Sequence, residues 1–134
     1  MKNNFLEVVI DDINVLCVST LGVKGSVEAF RTLESKLPTL KSRKFYGVLI
    51  GNSDNGIYRA CVASLPGENY LGVEKWVIPG GKYVKAKISD WEKHTYLIAQ
   101  TFSSMATKFR VDDSRPSVEY YKSQKELLLL LPIS

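Results

Sequence analysis
The chain has 134 residues, 45% of them apolar and 24% charged, with 18 Lys and Arg against 14 Asp and Glu, a net charge of +4. That is enough for one domain, or for two small repeats sharing one core, and it argues against intrinsic disorder. One His and two Cys exclude a zinc cage built from His and Cys alone, and also a disulfide-stapled mini-fold.

Residues 8–10 and 15–20 are β-prone runs separated by Asp11 and Asp12. Gly22 and Gly25 punctuate a loop. Ser26 stands where it can cap a helix whose apolar positions Val27, Phe30, Leu33 and Leu37 recur at three and four residues, and Pro38 ends that pattern. Residues 45–50 predict a strand, 52–56 a turn, and 57–64 a strand closed by Pro66 and Gly67. The second half repeats this order. A strand over 73–78, a tight turn at Pro79-Gly80-Gly81 and a strand over 83–88 come first. Ser89 and Glu92 then form an S-x-x-E capping box for a helix that runs to about Phe109, with Trp91, Leu97 or Ile98, Phe102 and Met105 on its apolar side. A loop over 112–116 and strands over 117–121 and 127–133 complete the chain.

Each half therefore reads strand, turn, strand, helix, strand, turn, strand, shifted by about 70 residues. Repeat one covers about residues 5–66 and repeat two about 71–134. Neither buries its own apolar face at that length. Paired, they predict an α+β fold with an antiparallel-rich sheet, two helices on one face and a cleft at a pseudo-twofold axis. Glu7, Asp11 and Asp12 interrupt any secretion signal, and the apolar run 127–131 is too short for a membrane span. The expectation is a cytoplasmic protein in which Cys17 and Cys61 are a reduced, buried pair.

Several motifs now fit one family. The stretch Gly72-Val73-Glu74-Lys75-Trp76-Val77-Ile78-Pro79-Gly80-Gly81-Lys82-Tyr83 resembles the strand-turn-strand of GyrI-like proteins. Tyr58 to Ala63 resembles the strand that precedes it. Pro116-Ser117-Val118-Glu119-Tyr120-Tyr121 is similar to the family's "fEvY" strand, Leu128 to Ile133 to its closing strand, and Phe45-Tyr46-Gly47 to a first-half motif. The set spans most of residues 44–134 in order. It departs from the family where helix two opens with Ser89-Asp90-Trp91-Glu92. With about four residues ahead of Phe5, no preceding helix-turn-helix is expected. The resemblance implies the ligand domain of AraC-type and MerR-type regulators, without a cofactor or metal, in which the glutamate lies in an aromatic cleft that takes lipophilic, often cationic compounds.

On that footing Glu119 is the central candidate. Alternation puts Ser117, Glu119 and Tyr121 on one strand face, and Val118 and Tyr120 on the other, the side expected to pack under the helices. A carboxylate in an aromatic cleft loses solvation, and a bound cation restores the compensation. Tyr121, Tyr46, Tyr58, Trp91, Trp76 and Phe102 are the candidate lining, with Tyr46 expected to face Glu119 across the pseudo-axis. His94 reads as an exposed helix residue without a catalytic partner. Lys41, Arg43, Lys44, Lys82, Lys85 and Lys87 are scattered among acids and form no nucleic-acid stripe.

The reading is a stand-alone, multidrug-like binder of lipophilic cations, monomeric or homodimeric. One alternative is a hydrolase of electrophiles such as cyclopropanoid alkylators, with Glu119 as general base. Another is a protein-interaction module whose partner is a regulator or DNA gyrase.

Overall fold
The computed structural model describes residues 4–134; Met1 to Asn3, the head of the segment read above for a secretion signal, lie outside the described residues. Among the described residues the strands are β1 (Leu6–Ile10), β2 (Ile13–Leu21), β3 (Phe45–Ile50), β4 (Ile57–Ala63), β5 (Glu74–Ile78), β6 (Gly81–Ser89), β7 (Ser117–Tyr121) and β8 (Glu126–Pro132). The helices are α1 (Ser26–Lys36) and α2 (Tyr96–Lys108), each preceded by a short 3-10 turn, at Val23–Gly25 and Trp91–Lys93.

The strands form one antiparallel sheet in the order β1-β6-β8-β7-β3-β4-β2-β5. That order is unchanged when β1 is exchanged with β5, β2 with β6, β3 with β7 and β4 with β8. Each half thus supplies three adjacent strands and lends its first strand to the far edge of the other half, β1 pairing with β6 and β5 with β2. The seam between the halves is the β3–β7 pair. The two first turns lock together as well. The Gly80 N–H donates to the Asp12 carboxylate at 2.6 Å, and a Cβ on Gly80 would lie 2.6 Å from the Ile10 carbonyl oxygen. Only a residue without a side chain allows that approach.

Side chains alternate across the sheet, and the two faces are buried differently. On one face α1 packs over β2 and β4, joining Ala29 and Leu33 to Leu16, Ala60 and Val62. On the same face α2 packs over β6 and β8, joining Met105 to Val84, Leu127 and Leu129. The two clusters are separate, so the seam strands between them are left open. The other face curls on itself into an all-β core that includes Val15, Cys17, Val48, Ile78, Tyr83 and Val118.

This corrects the expected facing of β7. Val118 and Tyr120 belong to the all-β core, and Glu119 and Tyr121 point to the helical side. Alternation separates the two sets, but when both faces are buried it does not say which one a helix covers. The start of α2 is a second correction. Ser89 stays in the sheet opposite Glu126, and Asp90 turns the chain at φ 50° while its N–H donates to the Lys125 carbonyl at 2.6 Å. The capping box does not form, and α2 begins at Tyr96. His94 consequently sits half-buried in the turn before α2, its Nδ1 3.0 Å from the Asp90 carbonyl, and not on a helix surface.

Cys17 and Cys61 face each other across β2 and β4, both free and both with no exposure. Their labelling by a thiol reagent is expected to be slow in the native protein and to accelerate with urea in step with global unfolding. Labelling much faster than that, without loss of structure, contradicts the burial.

Candidate functional site
The register across the seam places Gly47 of β3 directly opposite Glu119 of β7, with Ala60 beyond Gly47 and Leu129 and Ala86 beyond Glu119. The absence of a side chain on Gly47 leaves room beside the carboxylate for the Tyr58 hydroxyl. Tyr58 of β4 stands two residues from Ala60, so its ring crosses β3 diagonally to reach β7, a span suited to an aromatic side chain. Its hydroxyl donates to Glu119 Oε1 at 2.8 Å, and the Tyr121 hydroxyl donates to the same oxygen at 2.7 Å. The crossing needs Gly47: a Cβ there would lie 2.0 Å from the Tyr58 hydroxyl and 2.5 Å from Oε1.

The helices provide the walls. Phe30 of α1 meets Tyr58 and Tyr121 edge-on, with ring centroids 6.2 and 5.5 Å away. Trp91 lies 5.1 Å from Tyr121 on the other side, and its Nε1 donates to the Ser123 carbonyl at 3.0 Å, which pins it to the β7–β8 turn. Phe102 of α2 also lines the cleft, whose volume is about 1330 Å³. Val27, 61% exposed, stands at the cleft and not in the α1 core.

Electrostatics single out the floor. Burial pushes the Glu119 carboxyl above its usual range, against the opposing pull of the Tyr121 and Tyr58 hydrogen bonds. Burial, and then the nearby Glu119, push both tyrosine hydroxyls well above theirs, so they remain donors. The cleft lining holds three basic residues, Arg31, Arg43 and Lys122, each ion-paired with an acid outside the lining: Glu28, Glu68 and Glu126. Its three acids, Glu34, Asp113 and Glu119, have no basic partner within 4.0 Å among the described residues. The lining is thus formally balanced, three bases against three acids, but its bases are ion-paired and its acids are not.

Five of the candidate residues, Glu119, Tyr121, Tyr58, Trp91 and Phe102, come together here. Two do not. Tyr46 pairs with Tyr120 and stacks on it at 4.9 Å on the opposite face, because Gly47 and not Tyr46 is on the helical side of β3. Trp76 lies on the edge strand β5, in the same all-β layer, with the Arg59 guanidinium 4.9 Å over its ring. Sequence reasoning missed Gly47 and Phe30 as site residues. A glycine inside a β-prone run is the available signal for the first. Phe30 reads only as a helix core position. Among the described residues no group of three or more His, Cys, Asp or Glu is placed to hold a metal, and no helix is long and apolar enough to cross a membrane.

No protein-family model matches the sequence, and no curated protein is similar to it in sequence. Solved structures do match. An integron cassette protein from the mobile metagenome of Vibrio cholerae is 15% identical with a TM-score of 0.71, the match covering 97% of this chain and 95% of that one. The EcmrR C-terminal domain is 11% identical with a TM-score of 0.69, covering 100% and 99%. SAV2435, solved bound to tetraphenylphosphonium, is 10% identical with a TM-score of 0.59, covering 100% and 94%. Identities this low speak for the fold alone, which the chain shares with these proteins over nearly its whole length.

Proposed function
We propose that the protein binds lipophilic aromatic cations in the cleft, with Glu119 as the counter-charge. The observation that carries this reading is a carboxylate at the floor of an aromatic cleft, hydrogen-bonded by two tyrosines and without a basic partner among the described residues. A cation supplies the charge that burial removes, and the ring faces attract it. The same fold holds tetraphenylphosphonium in SAV2435.

Tetraphenylphosphonium is the first probe, and Trp91 fluorescence is the readout. Glu119→Gln is expected to weaken binding at least about tenfold, the loss of one charge-assisted interaction. Wild-type affinity should rise with pH through the raised Glu119 pKa, above the ordinary carboxyl range, and then level off, because the proton and the cation compete for one carboxylate. Stability runs the other way. The folded pKa exceeds the unfolded one, so the Glu119 contribution is complete at low pH and is lost as pH rises through the folded value. Glu119→Gln should therefore be at least as stable as wild type at neutral pH. Equal affinity in wild type and Glu119→Gln would remove the counter-charge role. Turnover of a cyclopropane-bearing alkylator by wild type, absent in Glu119→Ala, would replace binding by hydrolysis.

A further inference from the structure
We propose that the cleft selects cations bearing an N–H, protonated amines and amidinium groups on an aromatic body, over fully alkylated onium ions of the same shape. The proposal rests on the cation-binding reading above and concerns which cations the floor prefers.

The two oxygens of Glu119 are not equivalent. Oε1 accepts both tyrosine hydroxyls and lies against Gly47, so its two lone-pair directions are taken. No described residue donates to Oε2. Nor is Oε2 sealed: among the described residues the fully buried side-chain N and O atoms without a partner are Arg59 Nε and Arg115 Nη1. Tyr58 and Tyr121 have each committed their one O–H to Oε1, so their oxygens offer only lone pairs to a ligand. Around the carboxylate the groups left for a ligand are acceptors, one free carboxylate oxygen and two phenol oxygens, and the nearest donor on the same strand face is the rotatable hydroxyl of Ser117.

The complement of these acceptors is a donor. A protonated amine satisfies the charge and also the hydrogen-bonding capacity of Oε2. A quaternary ammonium or phosphonium satisfies the charge alone, and leaves Oε2 without a partner once water is displaced. Replacing N–H by N–CH₃ adds apolar area, which by itself favours the quaternary ion in an aromatic cleft. A preference for the N–H form would therefore appear against the hydrophobic trend.

The test is a matched pair of probes: one tricyclic aromatic body carrying either a dimethylammonium or a trimethylammonium side group. Both are titrated calorimetrically into wild type and Glu119→Gln at one pH, with the amine protonated. Wild type should bind the dimethylammonium form about tenfold more tightly, one charge-assisted hydrogen bond. Glu119→Gln should lose that preference, because its amide gives the oxygen to the tyrosines and turns an NH₂ to the ligand. Equal or tighter binding of the trimethylammonium form by wild type overturns the proposal and leaves the cation reading standing. Binding of neither probe overturns both. A preference that survives in Glu119→Gln overturns the role of Oε2. The wild-type comparison stands without any variant.

Discussion

Gly47→Ala is expected to lower the affinity for a lipophilic cation about tenfold, by misplacing the carboxylate that faces it. Local propensity argues the opposite sign for stability, since glycine weakens a strand interior by roughly 0.5–1 kcal/mol relative to alanine. Sterics outweigh it. The added Cβ would lie 2.0 Å from the Tyr58 hydroxyl and 2.5 Å from Glu119 Oε1, where ordinary contacts exceed about 3.4 Å. Tyr58 is 3% exposed and its ring is held edge-on by Phe30, so it has little room to swing away. The clash therefore displaces the Tyr58 hydroxyl and the carboxylate together. Misplacing the carboxylate loses the one charge-assisted interaction assigned to it, about 1.5 kcal/mol or roughly tenfold in affinity. Overpacking should also cost about 1–3 kcal/mol of stability. Thermal unfolding and cation titration separate the two effects. In Gly47→Ala/Tyr58→Leu the 2.0 Å clash is gone while the 2.5 Å approach to Glu119 Oε1 remains, so stability should recover only in part and affinity should stay low. Normal affinity in Gly47→Ala would mean that the Tyr58–Glu119 geometry is dispensable.

Gly47 also shows where the sequence could and could not be read. The order of elements was legible because strand runs, breakers and helical spacing are local. The likeness of the halves was legible because the order repeats. The exchange of β1 and β5 between halves was not, since no local signal says which neighbour a strand joins. Glu119 and Tyr121 were legible as a pair because alternation fixes their common face. Tyr58 reaches them only through the β3–β4 and β3–β7 registers, which are long-range. The same registers send Tyr46 to the far face, and a one-residue shift would have put it beside Glu119. Trp91 was assigned to the site for the right neighbourhood but on the wrong element, because the competing Ser89–Glu126 pairing outlasts the capping box.

Glu68→Ala is expected to cost about 3 kcal/mol of stability, the cost of breaking a buried ion pair from one side. Glu68 sits in the β4–β5 loop and meets the Arg43 guanidinium with two parallel bonds, Nη1 to Oε2 at 2.9 Å and Nη2 to Oε1 at 2.7 Å. The Leu65 N–H and the Tyr70 hydroxyl complete the carboxylate at 3.0 and 2.8 Å, and Arg43 also donates to the Ala63 carbonyl at 3.0 Å. The side chains of Arg43 and Glu68 are only 6% and 7% exposed, so this is a buried pair and not a surface one. Hydrogen bonding to Arg43, before the other contacts, holds the Glu68 carboxyl at about 2 against an ordinary 4.5. The folded pKa is the lower one, so this stability is present above the unfolded value and is lost as pH falls from about 5 to 2. Urea unfolding across that window should show the loss in wild type and a flatter profile in Glu68→Ala. The single variant leaves the Arg43 charge buried without its partner, which is the costly state. The double variant Arg43→Met/Glu68→Leu removes both charges and should recover much of the difference. Arg43 also borders the cleft, so cation titration of the double variant reports whether this loop contact shapes the ligand site or only anchors the chain beside it. A cost below about 1 kcal/mol for Glu68→Ala would place the pair with ordinary surface ion pairs.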